Sequence, residues 1–170
     1  AHHLAHYGQV TGVDLHSRPL EVARQRGLQV QEGSADDLPF DDATFDLVTL
    51  LDVVEHVPNE HGVFGECYRV LKPGGKLGVV VPDTREVLTR WLWGMADVIP
   101  MADMYWPIKD LDAVNHLFLY SDVQGSRHQW MYDKFTLARA MQRAGFGDLR
   151  EIDRHFDPRL GSPAWYQCGH

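Results

Sequence analysis

Phe45-Asp46-Leu47-Val48-Thr49-Leu50-Leu51 is a nearly continuous apolar run of the length of one strand. Strict alternation of apolar and polar residues marks a strand with one wet face. Its absence here predicts a strand buried on both faces, as in a parallel sheet covered by helices. Downstream, residues 60–71 carry helical periodicity and stop at Lys72-Pro73-Gly74-Gly75, a turn no helix continues through. Residues 76–81 then form another buried strand. Upstream, residues 28–31 alternate as a strand, and a loop over residues 33–40 with two acids and a proline follows them. Further back, Ser17 is placed to cap a helix that holds Pro19 and Glu21 early and ends at Gly27. Before that helix, residues 9–15 form a short β-rich run ending in Val13-Asp14-Leu15, and residues 1–7 read as the last turns of a helix closed by Gly8. Beyond the middle of the chain, Asp133 caps a helix with apolar Phe135, Leu137, Ala138, Met141 and Ala144, stopped by Gly145. Strands are expected near residues 148–154 and 164–168.

Strands alternating with helices predict an α/β fold built on a mostly parallel sheet. Ligands of such sheets bind at the carboxyl ends of the strands, near the switch in strand order. Asp14, the loop 33–40 and Leu51-Asp52 all fall at such ends, which sets three chemically different segments around one crevice.

Composition narrows the function. With 170 residues the chain is sized for one domain, at roughly 150 residues per domain. Acids outnumber bases 24 to 16, a net charge of −8, and that field repels phosphate, which argues against nucleic acid and anionic membrane as partners. The two cysteines, Cys67 and Cys168, form neither a metal-ligand spacing nor a disulfide framework, which suits a reducing cytoplasm. The most apolar long window, residues 87–108, is broken by Arg90, Gly94, Asp97, Pro100 and Asp103, so it does not span a bilayer. His2 and His6 stand one helical turn apart, but no acid or cysteine ligand lies near them in sequence. No metal is expected.

Several residues carry candidate chemistry. An acid past a strand end, such as Asp14, accepts hydrogen bonds from ribose hydroxyls; the bland alternative is a turn or helix-capping aspartate. An acid in the loop Ser34-Ala35-Asp36-Asp37 accepts from an adenine amino group, and Pro39 and Phe40 stiffen that loop; the alternative is an acidic surface turn. His56, after the strand 45–51, is either a hydrogen-bonded structural histidine or a base.

The order of these pieces resembles one family. Val13-Asp14-Leu15, residues 33–40, Phe45-Asp46-Leu47-Val48, Glu55-His56-Val57, Arg69-Val70-Leu71-Lys72-Pro73-Gly74-Gly75 and Ala144-Gly145-Phe146 together are similar to class I S-adenosylmethionine-dependent methyltransferases of the small-molecule branch. The resemblance covers residues 1–83 and 128–150. It implies a Rossmann-like sheet, mostly parallel, with antiparallel C-terminal strands. It implies S-adenosylmethionine as cofactor and S-adenosylhomocysteine as product, with Asp14 at the ribose, Leu15 also in the cofactor site, Ala35 and Asp36 (with Asp37 in reserve) at the adenine, and Leu51 by the methionine part. The family's first strand and glycine-rich loop find no match, so the chain is expected to be the C-terminal portion of a longer one, with the strands ending at Asp14 and Leu51 not paired to each other.

Within a single domain 1–170, residues 84–132 are an insert with four of the five tryptophans and four of the five methionines. Long aromatic segments of this kind suit a lid over an apolar pocket; a satellite core or a dimer interface is the alternative. Tyr105, Trp106, His116, Trp130 and Tyr132 are the acceptor-binding candidates there. His128 and His56 are the candidate bases, because imidazole titrates near neutrality. The expected function is methyl transfer to the oxygen or nitrogen of a small molecule, in the cytoplasm, with a homodimer left open. Another Rossmann nucleotide-cofactor enzyme, or a non-catalytic module on the methyltransferase fold, are the rival readings.

Overall fold

A computed structural model describes residues 8–85, 98–101, 104–107, 128–152 and 164–169; at 98–101, 104–107, 152 and 164–169 the description is of the backbone alone. The chain builds two units on α/β principles. In the first, β1 (Thr11–Asp14) runs parallel to β2 (Gln29–Glu32), with Asp14 opposite Glu32 at their carboxyl ends. The crossover between them is α1 (Ser17–Gln25), closed by Gly27 at φ +76°. Ser17 is the first residue of α1 and His16 holds the N-cap position with no side-chain cap, so the expected Ser17 cap is not formed. The carboxylate of Asp14 instead takes the His16 N–H at 2.8 Å, supplying from the strand end the acceptor that the helix start needs.

The second unit is a four-stranded sheet in the order β3, β4, β8, β7. Strands β3 (Phe45–Leu51) and β4 (Leu71–Val81) are parallel. Strand β8 (Ala164–Gly169) is antiparallel to both β4 and β7 (Gly147–Ile152). Between β4 and β7 lie a short hairpin, β5 (Val98–Met101) with β6 (Met104–Pro107), and further along the helix Lys134–Arg143. Strands β1 and β3 belong to separate sheets and are not paired.

The core forms on one face of the second sheet. Leu50 of β3 and Leu77, Val79 and Val81 of β4 pack against Val63, Phe64 and Cys67 of α2 (Glu60–Val70) and Leu137, Ala140 and Met141 of α3 (Lys134–Arg143). Each helix is fixed at its start. Asn59 accepts from the Gly62 N–H at 3.0 Å, and Asp133 and Thr136 form a reciprocal capping box.

Two expectations change here. Strand β3 is not buried on both faces: Leu50 is buried, yet Leu47 and Leu51 are 52% and 41% exposed. The described helices cover the Val48 and Leu50 side, and the other side has no such cover among the described residues. The turn at Lys72-Pro73-Gly74-Gly75 does not separate helix from strand but sits inside β4. Phe45 pairs Leu71 and Leu47 pairs Lys76, so residues 72–75 form an excursion between two paired positions. Gly74 takes φ +79° there, and a Cβ on Gly75 would stand 2.8 Å from the Lys72 carbonyl oxygen, so neither position accepts a side chain at low cost. No helix among the described residues is long and apolar enough to cross a membrane.

Candidate functional site

The carboxyl ends of β1 and β2 present the first group of candidates. Asp14 Oδ1 accepts from the backbone N–H of His16, and the His16 ring nitrogen Nδ1 lies 3.3 Å away. Oδ2 meets no donor among the described residues. The Gly33 N–H donates to the Asp14 carbonyl at 3.1 Å, which draws the following loop against the strand end. Gly33 is fixed by contact: a Cβ there would lie 3.0 Å from Pro39 Cδ and 3.3 Å from Val13 Cγ1. Within the loop the Ser34 hydroxyl donates to Asp36 Oδ1, and the Asp37 N–H returns to the Ser34 carbonyl at 3.2 Å. Ala35 packs on the main core. Leu15, 59% exposed, follows Asp14, and Leu51, 41% exposed, ends β3.

The loop does not hold itself. Glu66 of α2 accepts the Leu38 N–H at 2.8 Å, and Arg69 donates to the carbonyls of Leu38 at 3.0 Å and Phe40 at 2.7 Å. The two side chains also pair with each other, Nε to Oε1 and NH2 to Oε2, each at 2.7 Å. The Arg69 hydrogen bonds hold the Glu66 carboxyl below the usual glutamate range. In return, Glu66 and then Asp42 push the Arg69 guanidinium further up. Pro39 and Phe40 stiffen the loop from within, with Phe40 edge-on to Phe45 at 4.8 Å between centroids. The clamp from α2 was not anticipated, although the i, i+3 spacing of Glu66 and Arg69 is a readable sign of an ion pair.

The second group gathers where β3 ends. Asp52 takes φ +56°, a left-handed turn rare for residues other than glycine, asparagine and aspartate. It leads into the 3-10 turn Val54–His56. The carbonyl of Glu55 accepts N–H groups from Gln129 at 2.6 Å and Trp130 at 3.2 Å, and the Trp130 indole N–H donates to the Val57 carbonyl at 2.8 Å. These bonds carry His128 to His56, their rings edge to face with centroids 4.7 Å apart. Burial lowers the His128 pKa, and the neighbouring His56 adds to the effect, so its imidazole is neutral at neutral pH.

Glu55 lies beneath the histidines at 1% exposure, with both carboxylate oxygens lacking a hydrogen-bond partner. Burial, reinforced by the Asp52 carboxylate, pushes its pKa up to about 8. An orphaned buried polar group costs about 1–3 kcal/mol, so this carboxyl is not a packing residue by preference.

Tyr132 is 4% exposed, in the core, and its hydroxyl donates to Glu60. Burial, then that bond, raises its pKa. Its place is inside the wall rather than on it: the Thr84 N–H bonds its carbonyl at 2.8 Å, joining the segment to the end of β4. Trp130 is 37% exposed beside the histidines. Tyr105 and Trp106 belong to β6, described by backbone alone. His116, together with His2 and His6, lies outside the described residues.

Residues 1–79 match the family model of a methyltransferase domain. The chain is 32% identical over 154 residues to a demethylmenaquinone methyltransferase of Lactiplantibacillus plantarum, which covers 84% of this chain and 61% of that protein. It is 37% identical over 158 residues to a demethylmenaquinone methyltransferase of Listeria monocytogenes, covering 85% and 62%. The chain thus spans about three fifths of the length of these curated relatives. A SAM-dependent methyltransferase of Thermotoga maritima shares the fold with a TM-score of 0.64 at 22% identity, over 96% of this chain and 73% of that one. Residues 1–79 thus carry the pattern of a methyltransferase domain, and the chain has the Rossmann-like α/β fold of S-adenosylmethionine-dependent methyltransferases.

Proposed function

From these similarities we propose that the protein transfers a methyl group from S-adenosylmethionine to a small-molecule acceptor. The observation that carries the proposal is the bond from Gly33 to the Asp14 carbonyl, which sets an acid with an open oxygen beside the loop 33–37 at one strand end. When bound, S-adenosylmethionine supplies a methyl group on a positively charged sulfur. Asp14 Oδ2 is suited to a ribose hydroxyl, Ala35 and Asp36 to the adenine, and exposed Leu15 and Leu51 to its apolar faces and the methionine part. Holding donor and acceptor in line supplies much of the rate.

On the acceptor side, neutral His128 with His56 is placed to take a proton from a hydroxyl or amine acceptor. Trp130 and Met131, 37% and 52% exposed next to His128, offer apolar surface. The two curated relatives are named for demethylmenaquinone, and an acceptor of that kind fits such a surface. Residues 84–132, with Tyr105, Trp106 and His116, are proposed as a lid on the single domain 1–170. Hydrogen exchange over 88–127 with and without S-adenosylhomocysteine tests it: unchanged protection rejects the lid in favour of a homodimer interface. A cytoplasmic location, small-molecule partners and no nucleic acid belong to the same proposal.

Calorimetry tests the cofactor site. Asp14→Ala is expected to weaken S-adenosylmethionine binding by about 1.5–3 kcal/mol, the range for hydrogen bonds involving a charged group. Unchanged affinity removes Asp14 from the site.

A further inference from the structure

Between Asp52, the 3-10 turn and residues 128–130 the chain assembles three groups that all present lone pairs. Glu55 has two buried carboxylate oxygens without a donor, and His56 Nδ1 is likewise buried without a partner. One ligating atom each from Glu55, His56 and His128 lies within 4.8 Å of the other two. Lone pairs this close, with Glu55 buried and the two histidines half-buried, are unfavourable unless a hydrogen or a positive ion sits among them. Nothing in the packing forces the arrangement from sequence neighbours alone. His128 is brought to the turn by the bonds that Gln129 and Trp130 donate to the Glu55 carbonyl.

We propose that Glu55, His56 and His128 form a binding site for a first-row divalent transition ion of the zinc type, with the Asp52 carboxylate as its charged neighbour. Two imidazoles and one carboxylate are a donor set for such ions that leaves coordination positions open. Atoms ligating one tetrahedral ion at about 2.0–2.2 Å stand roughly 3.4 Å apart. The ligating atoms now lie within 4.8 Å of one another, so the site must draw in as an ion binds. The donor set contains no thiolate, which disfavours copper(I) and iron–sulfur chemistry, and its two nitrogens disfavour magnesium and calcium. The sequence expectation of no metal rested on His2, His6 and the two cysteines; this site joins residues 72 positions apart.

The site shares His56 and His128 with the proposed acceptor side. It changes the part played by these two residues: with an ion bound, the lone pairs of His56 and His128 are engaged in ligation and no longer accept a proton.

Cobalt(II) is the probe. The full chain carrying His2→Ala, His3→Ala and His6→Ala, which removes the N-terminal histidines as competing ligands, is titrated with cobalt chloride and followed by visible ligand-field absorbance. One ion per chain is expected, displaced by zinc chloride. In that background His56→Ala, His128→Ala and Glu55→Gln should each weaken binding at least about 100-fold, the upper end of what losing even an outer partner of a metal site costs. Their far-UV circular dichroism should match the parent. Zinc should also shift the ring-nitrogen NMR signals of His56 and His128 in the unsubstituted chain, a readout that requires no substitution at the site. No bound cobalt, binding that folded variants leave unchanged, or unmoved ring-nitrogen signals overturns the proposal. S-adenosylmethionine binding is measured separately, so a chain that binds it but not cobalt rejects the metal site alone.

Discussion

The β1–α1–β2 unit and the β3–β4 sheet with α2 and α3 are built from the same alternation of strand and helix, yet they bury very different amounts of chain. In the first unit Leu20 is the one buried hydrophobic residue among those described. In the second, Phe64, Leu77, Val79, Leu137 and Met141 are all at 0% exposure in one continuous core. Burial drives stability roughly in proportion to apolar area, so the second unit is the foundation and the first leans on it. The proposed cofactor grip, Asp14 and the loop 33–37, sits on the lighter unit. His56 and His128 sit on the heavier one. The proposed site thus draws on one lightly buried unit and one heavily buried unit.

The contrast can be broken first at its strongest point. Phe64→Ala is expected to cost about 3–5 kcal/mol, the usual range for removing a buried aromatic ring, and to lower the whole urea transition. Leu20→Ala should instead loosen β1 and β2 selectively, seen as faster amide exchange there with β3 and β4 unchanged. Equal loss of protection in both units after Leu20→Ala would mean that they unfold as one.

A smaller effect probes the strap between the units. Arg69→Met removes the bonds to Leu38, Phe40, Glu66 and Asp42 and should cost about 1.5–3 kcal/mol, as for hydrogen bonds to charged groups. It should also weaken S-adenosylmethionine binding although Arg69 itself is not placed at the cofactor. The pH dependence follows from Glu66, whose folded pKa lies below its unfolded one. Its contribution is therefore present above the ordinary glutamate range and is lost as the pH falls through the depressed folded value. Urea midpoints of the parent and of Glu66→Gln should differ near neutral pH and converge as the pH falls through the depressed folded value.

The smallest test stays within the heavier unit. Asp133→Ala deletes the capping box of α3 and should cost about 1 kcal/mol in a chemical melt. The amides of Phe135 and Thr136, which now donate to Asp133 at 3.1 and 2.8 Å, should exchange faster. A cost several times larger would show that the Arg85 pairing, 3.3 Å from Asp133, carries more of the link between β4 and α3 than the cap does.

The sequence was most legible where local chemistry decides the outcome. The helix stops at Gly27 and Gly145, the Asp133 cap and the strand at residues 45–51 are all set by neighbours in the chain. The family was legible because six short motifs keep their order. What stayed hidden depends on contacts between distant residues. The exposure of Leu47 and Leu51 follows from which face the described helices cover, which an apolar run does not specify. His56 and His128 were each singled out, but their meeting depends on two backbone bonds to the Glu55 carbonyl. Glu55 itself was passed over as part of a motif, because a carboxylate that is orphaned when buried looks in sequence like any surface acid. Tyr132 was read as pocket lining because an aromatic residue in a long connection does not disclose which way it turns.

The excursion at residues 72–75 has a practical side. It interrupts β4 near its first residues, at the end of the strand away from Val81, and Pro73 and Gly74 there are exposed. The paired Phe45–Leu71 rung on one side and the Leu47–Lys76 rung on the other isolate it from the rest of the ladder. A fluorophore or spin label attached through a cysteine at Pro73 would ride on the rigid sheet while standing clear of Asp14, Leu51 and both histidines. It would give a fixed reference point from which the distance to the β1–α1–β2 unit could be followed as ligands are added.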